Sequence, residues 1–574
     1  MRQIKASISV AVLCISVCIQ TATAQNLPLK FVPQPTSAAI SERDLKSRIY
    51  QFADDSMGGR LSGSEGAMKG TAYIARELAR LKLEPAGDNG SFFQDIPFGR
   101  QVIDSSSTLT IGDVVLRNGE DFAGVGPLGR GPLRGPLEVV YFGMGFDTTS
   151  LLTPEQVRGK MILLSPRTSN PDNLPQLLAS TGYRAYETML ASAAVVGVIT
   201  AQSRITPAIT RMYLPPTGNV GVIPTSPTGS AMLLLNTRAA EALLGSTVAN
   251  AVRGSAGRTS DADLRFTITR MPGRNVVAVL RGSDRRLRGQ YVAMGAHTDH
   301  IGIRSKPVDH DSMRVSNGIL RPEGAERAAR RPNADEAARI RALTDSLHAL
   351  HGERPDSIHN GADDDGSGSM GVLEIAEAFA HAKRRPARSL LFVWHMGEEQ
   401  GMLGSRYFTD HPTVPLDSVV AQLNVDMIGR GASDDVTGRT KEDVEIRGRD
   451  SGYVQLIGSR RLSTELGDLV EAVNRDTRAR LTLDYSLDAN GHAGNIYCRS
   501  DHAMYARFGI PVTFFSTGGH RDYHQVTDEP QYLDFGHYRS VTQFIHDVAE
   551  RVANLDHRPV VDGRRTDPTA ACQQ

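Results

Sequence analysis

Leu390 to Phe408 reads LLFVWHMGEEQGMLGSRYF, and the reading of this stretch decides the fold. Leu390–Trp394 is a short apolar run rich in β-branched and aromatic residues, the pattern of a strand buried on both faces. Gly397 stops it, Glu398 and Glu399 follow at once, and Gly401 and Gly404 let the backbone turn tightly. Two adjacent carboxylates at the end of a buried strand repel each other, and desolvation raises the cost of keeping both charged. One reading is a solvated acidic turn. The other is a cation or a proton transfer that offsets the pair.

Outward from this stretch the chain alternates strands and helices, as a mostly parallel, doubly wound α/β sheet does. Strands are expected at Val276–Leu280, Tyr291–Met294, Leu390–Trp394, Val419–Asn424 and Ile510–Phe515. Helices are expected at Ser369–Ala382, Val454–Leu466 and Tyr538–Leu555. Ligand-type residues recur at one structural place, the C-terminal end of an expected strand. His297, Asp299 and His300 follow the second strand, Glu398 and Glu399 the third, Asp426 the fourth, and His520 and His524 the fifth. A fifth cluster, Asp363–Asp365, precedes the helix at Ser369. In open α/β sheets these ends line one crevice, so distant residues can meet there. A single His or Asp at a strand end is commonly a cap or a loop residue, and an aspartate run before a helix can serve its dipole. Five such coincidences on one edge favour a shared site. Histidines with several carboxylates suit zinc, with manganese or cobalt as alternatives, and too many ligands are present for one tetrahedral ion.

The remaining sequence sets bounds. At 574 residues the chain is too long for one compact core. Its 64 basic and 64 acidic residues balance, which argues against nucleic acid or an anionic membrane as main partner. Arg2 and Lys5, the apolar run Ile8–Ile19 and the small residues Ala22 and Ala24 fit a signal peptide cleaved before Gln25. The run is too short to span a bilayer, so the mature protein is expected to be secreted or periplasmic without stable membrane insertion. Of four cysteines, Cys14 and Cys18 lie in this segment. Cys498 and Cys572 remain, either as one disulfide or as two free thiols.

Ser41 can cap a first helix, Ala67–Leu81 has the spacing of an amphipathic second one, and GGRLSGSEG between them is a glycine-rich loop. Gly124–Gly135 is dense in Gly and Pro and reads as a junction. Beyond it, strands at Leu137–Tyr141, Met161–Leu164 and Ala194–Thr200, an apolar run at Met232–Leu235 and a helix near Tyr183–Ala191 form a separate α/β set. Ile303–Ile358 is an Arg/Ala/Asp-rich insertion with one amphipathic helix near Ala334–Leu350, either a lid or a solvated surface helix.

The motifs GAHTDHIG (295–302), NGADDDGSG (360–368), WHMGEEQGMLGSRYF (394–408), LNVDMIG (423–429), SDHAMYARFGIP (500–511) and DYHQVTDEP (522–530) occur in this order. Together they resemble the di-zinc peptidase family of bacterial leucyl aminopeptidases, plasma glutamate carboxypeptidases and the transferrin receptor. The resemblance implies Asp364 as a carboxylate bridging two Zn2+ ions, with His297 and Asp426 on one and Glu399 and His524 on the other. It implies Glu398 as general base and Asp299 as the residue orienting His297. Sequence spacing alone does not choose among Asp363, Asp364 and Asp365. VRGKMILL and AAVVGVIT loosely resemble a protease-associated domain, without its usual Cys and Arg features. The implied organisation is a signal peptide (1–24), an N-terminal part of the peptidase domain (25–126), an inserted protease-associated domain (127–262), the catalytic domain (263–558) and a tail (559–574). The implied activity is an aminopeptidase acting on peptide substrates. A carboxypeptidase or dipeptidase, a glutaminyl cyclase and a non-catalytic receptor are the alternatives. A carboxypeptidase needs a cationic pocket, and Arg406, Arg430, Arg499 and Arg507 lie near motif ends.

Overall fold

The computed structural model describes residues 30–125, 131–144, 152–165, 190–200, 202–205, 219–224, 229–450, 452–477, 480–565, 567–570 and 572–574. The expected signal peptide and most of the helix expected near Tyr183–Ala191 lie outside them. One large mixed sheet organises the chain. Its strands are β1 (Glu84–Pro85), β2 (Phe93–Asp95), β3 (Arg274–Leu280), β4 (Tyr291–His297), β5 (Ser389–His395), β6 (Val419–Val425), β7 (Tyr453–Ile457), β8 (Thr482–Asp484) and β9 (Val512–Ser516). They run in the order β1-β3-β5-β4-β6-β9-β7-β8, with β2 also pairing β3.

The four central strands β5, β4, β6 and β9 are parallel. The edges depart from the expected pattern, because β3 runs antiparallel to β5 and β7 antiparallel to β9. Alternation of side chains explains why the central strands read as unbroken apolar runs. Leu390, Phe392 and Trp394 of β5 enter one core with helices Glu42–Phe52, Gly368–Ala380 and Phe535–Ala553. Leu391 and Val393 enter the core on the other face with Phe408, Tyr505 and Ile510. The helix from Glu42 is capped as expected, the Ser41 hydroxyl accepting from the amide of Asp44 at 3.1 Å.

One expected helix is corrected. Val454–Leu466 divides into strand β7 and a helix at Thr464–Asp476. The apolar run YVQLI is buried on both faces, where periodicity cannot tell helix from strand. Gly458, at φ +80°, ends it. Ser463 then caps the helix, its hydroxyl accepting from the amide of Leu466 at 3.1 Å.

Strands at residues 98–144 and 219–271 pair with one another and not with the large sheet. Phe122–Val125, Ala231–Leu235, Val195–Ile199, Met161–Ser165 and Val139–Met144 form a five-stranded sheet, in that order. This second body therefore reaches back to Phe98, before the junction at Gly124–Gly135. The 303–358 insertion holds a hairpin (Gly302–Asp309 with Pro355–His359) and two helices, His310–Leu320 and Ala334–His351. The sequence suggested only the second. The first starts where Asp309 accepts from the amide of Ser312 at 2.8 Å, a capping contact placed among mixed polar residues with no clear stripe. Cys498 and Cys572 form a disulfide that ties the C terminus to the body. No helix among the described residues is long and apolar enough to cross a membrane.

Candidate metal centre

The C-terminal ends of β4, β5, β6 and β9 converge, as the sheet topology requires, and bring the sequence-identified residues together. His297 ends β4, Glu398 and Glu399 follow β5, Asp426 follows β6, and His524 lies in the loop after β9. Asp364 stands between two groups. Its Oδ1 lies 3.3 Å from His297 Nε2, and its Oδ2 lies 3.0 Å from His524 Nε2. Asp426 Oδ1 is 3.7 Å from His297 Nε2, and Glu399 Oε2 is 3.0 Å from His524 Nε2.

The three aspartates differ in what already occupies their oxygens. Asp363 accepts from the amide of Gly429 at 2.7 Å and faces His520 Nε2 at 3.2 Å. Asp365 is also near His297 and Asp426, but it accepts from the amides of His297 at 3.0 Å, Gly368 at 2.8 Å and Met427 at 3.2 Å. Among the described residues Asp364 makes no such backbone contact, and it turns both oxygens to histidines. The peptide between Asp364 and Asp365 is cis. Asp528 holds the same loop by accepting from the amides of Asp363 and Asp364 at 3.1 Å.

Asp299 meets His297 through its backbone. His297 Nδ1 faces the Asp299 backbone carbonyl at 3.0 Å, while the carboxylate is 3.8 Å away. That carboxylate accepts from the Ser62 hydroxyl at 3.0 Å and from the amides of Gly397 and Glu398 at 2.7 and 3.2 Å. It therefore fixes the turn that presents the two glutamates.

Two further residues enter the site that sequence reasoning had given no role. His300 is buried, with Nδ1 2.7 Å from Glu399 Oε1 and 3.7 Å from Asp364 Oδ2. Its signal was its place among the ligand-type residues after β4, three positions past His297. Arg60, in the glycine-rich loop, donates to the carbonyls of Thr298, Phe52, Asn360 and Gly361 at 2.9, 3.0, 2.6 and 2.8 Å. It joins the β4 end to the Asp364 loop from beneath, and nothing in its sequence context pointed there.

The adjacent glutamates are pushed in opposite directions. Burial raises the Glu398 carboxyl well above its usual range, and the Asp426, Asp501 and Glu399 carboxylates add to that. Burial also acts on Glu399, but His524 and His300 outweigh it and bring it down to about 2. Glu398 makes no side-chain hydrogen bond among the described residues, and its Oε2 sits 3.9 Å from His297 Nε2.

The donor set fits divalent metal ions. Among the described residues, both ring nitrogens of His300, Asp364 Oδ2 and Glu399 Oε1 are buried without a partner of hydrogen-bond geometry. Unsatisfied buried groups in this density are expected where an ion completes the set. His300, Asp364, Glu399 and His524 have ligand atoms within 4.8 Å of one another, as do His297, Asp365 and Asp426. The centre opens into a cavity of about 740 Å3, walled in part by Met402, Met427, Ile457, Leu487, Ile496 and Phe514. Of the four flanking arginines only Arg499 lines it, with its two terminal nitrogens on Glu326 at 2.7 and 2.9 Å. Arg430 is buried against Asp522 and Asp435.

Comparison with known proteins follows the same segment. The family model described as peptidase family M28 matches residues 275–549. A probable leucine aminopeptidase of Trichophyton verrucosum (strain HKI 0517) is 33% identical over 134 residues, covering 23% of this chain and 34% of that protein. Leucine aminopeptidase 1 of Coccidioides posadasii (strain C735) is 32% identical over 189 residues, covering 31% and 42%. The chain thus spans less than half the length of these relatives. Among solved structures, the aminopeptidase from Aneurinibacillus sp. strain AM-1 is 16% identical with a TM-score of 0.47, covering 92% of this chain and 98% of that one. Every strand end that builds the centre lies inside the segment, residues 275–549, that matches the peptidase family M28 model.

Proposed function

We propose that the protein is an exported, zinc-dependent aminopeptidase that removes residues from the free amino termini of peptides. The observation that carries this reading is the split between the neighbouring glutamates. Glu399 is held between two histidines and serves as a ligand, while Glu398 presents an unheld carboxylate to the same centre. His297 and Asp426 would hold one ion and Glu399 and His524 the other, with Asp364 placed between the two groups. Zinc held by these residues would supply a water of lowered pKa and an electrophile for the peptide carbonyl. Glu398 takes the proton from the attacking water at its carboxylate and returns it to the leaving nitrogen, a role typically worth about 10²–10⁴-fold. Asp299 keeps Glu398 in place through its amide, and Ser500 steadies Asp426 by donating to Oδ2 at 2.7 Å.

The apolar wall supports an uncharged side chain at the substrate's first residue, and the acidic centre supports its α-ammonium group. Arg499 is engaged by Glu326, whereas Lys441 also lines the cavity, so the carboxypeptidase reading is separated by its substrates. Export is supported by the disulfide, a bond kept in oxidising compartments. The body holding the five-stranded sheet is read as a protease-associated domain. The test compares an aminoacyl-anilide, its N-acetyl form and a peptide blocked at the carboxyl terminus. The first and third should be cleaved and the second spared. Cleavage only where the carboxylate is free moves the protein to the carboxypeptidase branch.

A further inference from the structure

The 303–358 insertion carries a second concentration of ligand-type side chains. Two groups there bring ligand atoms within 4.8 Å of one another: Asp309, Asp311 and His348, and His310, Asp356 and Glu529. In the first, Asp309 and His348 are already satisfied. Asp309 accepts from the amides of Ser312 and Arg354 at 2.8 and 3.1 Å, and its Oδ2 faces His348 Nε2 at 3.0 Å.

The second is satisfied only in part: Glu529 Oε2 accepts from Gln531 Nε2 and, at 3.4 Å, from Arg354, while the histidine is open. His310 is 0% exposed. Its Nδ1 faces Asp311 Oδ1 at 3.3 Å, and its Nε2 makes no hydrogen bond although Glu529 Oε2 lies 3.1 Å away. Asp356 uses Oδ1 to accept from the amide of Ile358 at 3.0 Å, which leaves Oδ2 for another partner. Asp311 Oδ2 is likewise buried without a hydrogen bond. Asp311 and Glu529 each lie 3.4 Å from the Arg354 guanidinium, and Asp311 Oδ2 lies 3.6 Å from His351 Nδ1. Burial alone would make His310 less basic, yet Asp311 and Glu529 lift it to about 9, a sign that the pocket favours positive charge. A buried imidazole lone pair facing two carboxylates calls for a proton or a metal ion.

We propose that His310, Asp356 and Glu529 form a further divalent-cation site. One imidazole and two carboxylates suit a borderline ion such as Zn2+ or Mn2+ better than Ca2+ or Mg2+, which take oxygen ligands throughout. The three residues come from the start of the helix His310–Leu320, the strand Pro355–His359 and the loop after His524. Glu529 adjoins Asp528, which holds the amides of Asp363 and Asp364. An ion at this place ties the insertion to the loop that presents Asp364, and gives the insertion a structural task.

The test loads the full chain with Zn2+, removes unbound ion by gel filtration and measures metal per chain by mass spectrometry. Wild type is compared with His310→Gln and Asp356→Asn. Each variant should carry one equivalent less than wild type, whatever the occupancy of the centre at Asp364. The readout is a difference and not an activity, so it stands or falls apart from the aminopeptidase reading. Asp356→Asn keeps the acceptor for the Ile358 amide and guards against a folding defect in the histidine variant. Equal metal content in wild type and both variants overturns the proposal and makes His310 an imidazolium held by carboxylates. In crystals of the Zn2+-loaded chain, an anomalous peak among the three side chains is expected, and its absence also overturns the site.

Discussion

Asp299 holds Glu398 by the backbone: its Oδ1 accepts from the Glu398 amide at 3.2 Å and from the Gly397 amide at 2.7 Å. The same residue meets the His297 ring through its carbonyl at 3.0 Å. One aspartate therefore sets the orientation of a ligand histidine and the position of the proposed base. Asp299→Asn removes the charge from the group that takes both amides and sets an NH2 against the Ser62 hydroxyl. Activity should fall about 10–100-fold, the usual cost of losing such support, with metal content close to wild type. Asp299→Ala leaves these buried amides unpaired at about 1–3 kcal/mol each, so its melting temperature should fall as well. An Asn variant with wild-type kcat contradicts the assignment.

The aspartate triplet gives a second expectation. Asp364→Ala should lose both ions while the metal-free protein melts near the wild-type temperature, because no backbone amide depends on that carboxylate. Asp365→Ala should do the reverse at the level of the fold, since it orphans the amides of His297, Gly368 and Met427. Metal titration and thermal melting of the two variants separate the roles. Retention of both ions by Asp364→Ala removes the bridge.

These roles were legible in the sequence only in part. The parallel strands could be read because both faces of each are buried, so the apolar runs are unbroken. The choice of Asp364 could not, because three consecutive carboxylates differ only in which distant amides they meet, and those lie at 297, 368, 427 and 429. Arg60 was hidden for the same reason: its partners are four carbonyls brought close by the fold, and carbonyls leave no trace in a sequence. The misread segment at Val454–Leu466 shows the limit of periodicity, since five buried residues satisfy a strand and a helix equally well.

The disulfide between Cys498 and Cys572 closes a span of 74 residues and ends in a tail fixed by Gln574, which donates to the Leu487 carbonyl at 2.6 Å. Cys572→Ala should cost roughly 2–4 kcal/mol in denaturant unfolding and expose the tail to proteolysis. Cys498 also lines the cavity. A shift in substrate preference should accompany the loss of stability, and unchanged unfolding would deny the bond a structural role.

The insertion should respond to pH through His348. Its hydrogen bond to Asp309 raises the imidazole above its ordinary value. A folded-state pKa above the unfolded one means that this contribution is full below about 6.5 and is lost as pH rises through the folded value. Hydrogen exchange in Ala334–His351, corrected for the intrinsic rate, should be slower at about pH 5.5 than at about pH 8.5. His348→Gln should flatten that difference. Equal protection at both pH values in wild type excludes the contact as a docking element.

The account rests most on the division of labour between Glu398 and Glu399, and Glu398→Gln tests it most directly. Metal per chain and hydrolysis of an unblocked aminoacyl-anilide are measured on the same preparation. Glutamine keeps the shape and cannot carry the proton, so metal content should match wild type while kcat falls by about 10²–10⁴ or more. Loss of a metal equivalent in this variant, or hydrolysis within tenfold of wild type, contradicts the account.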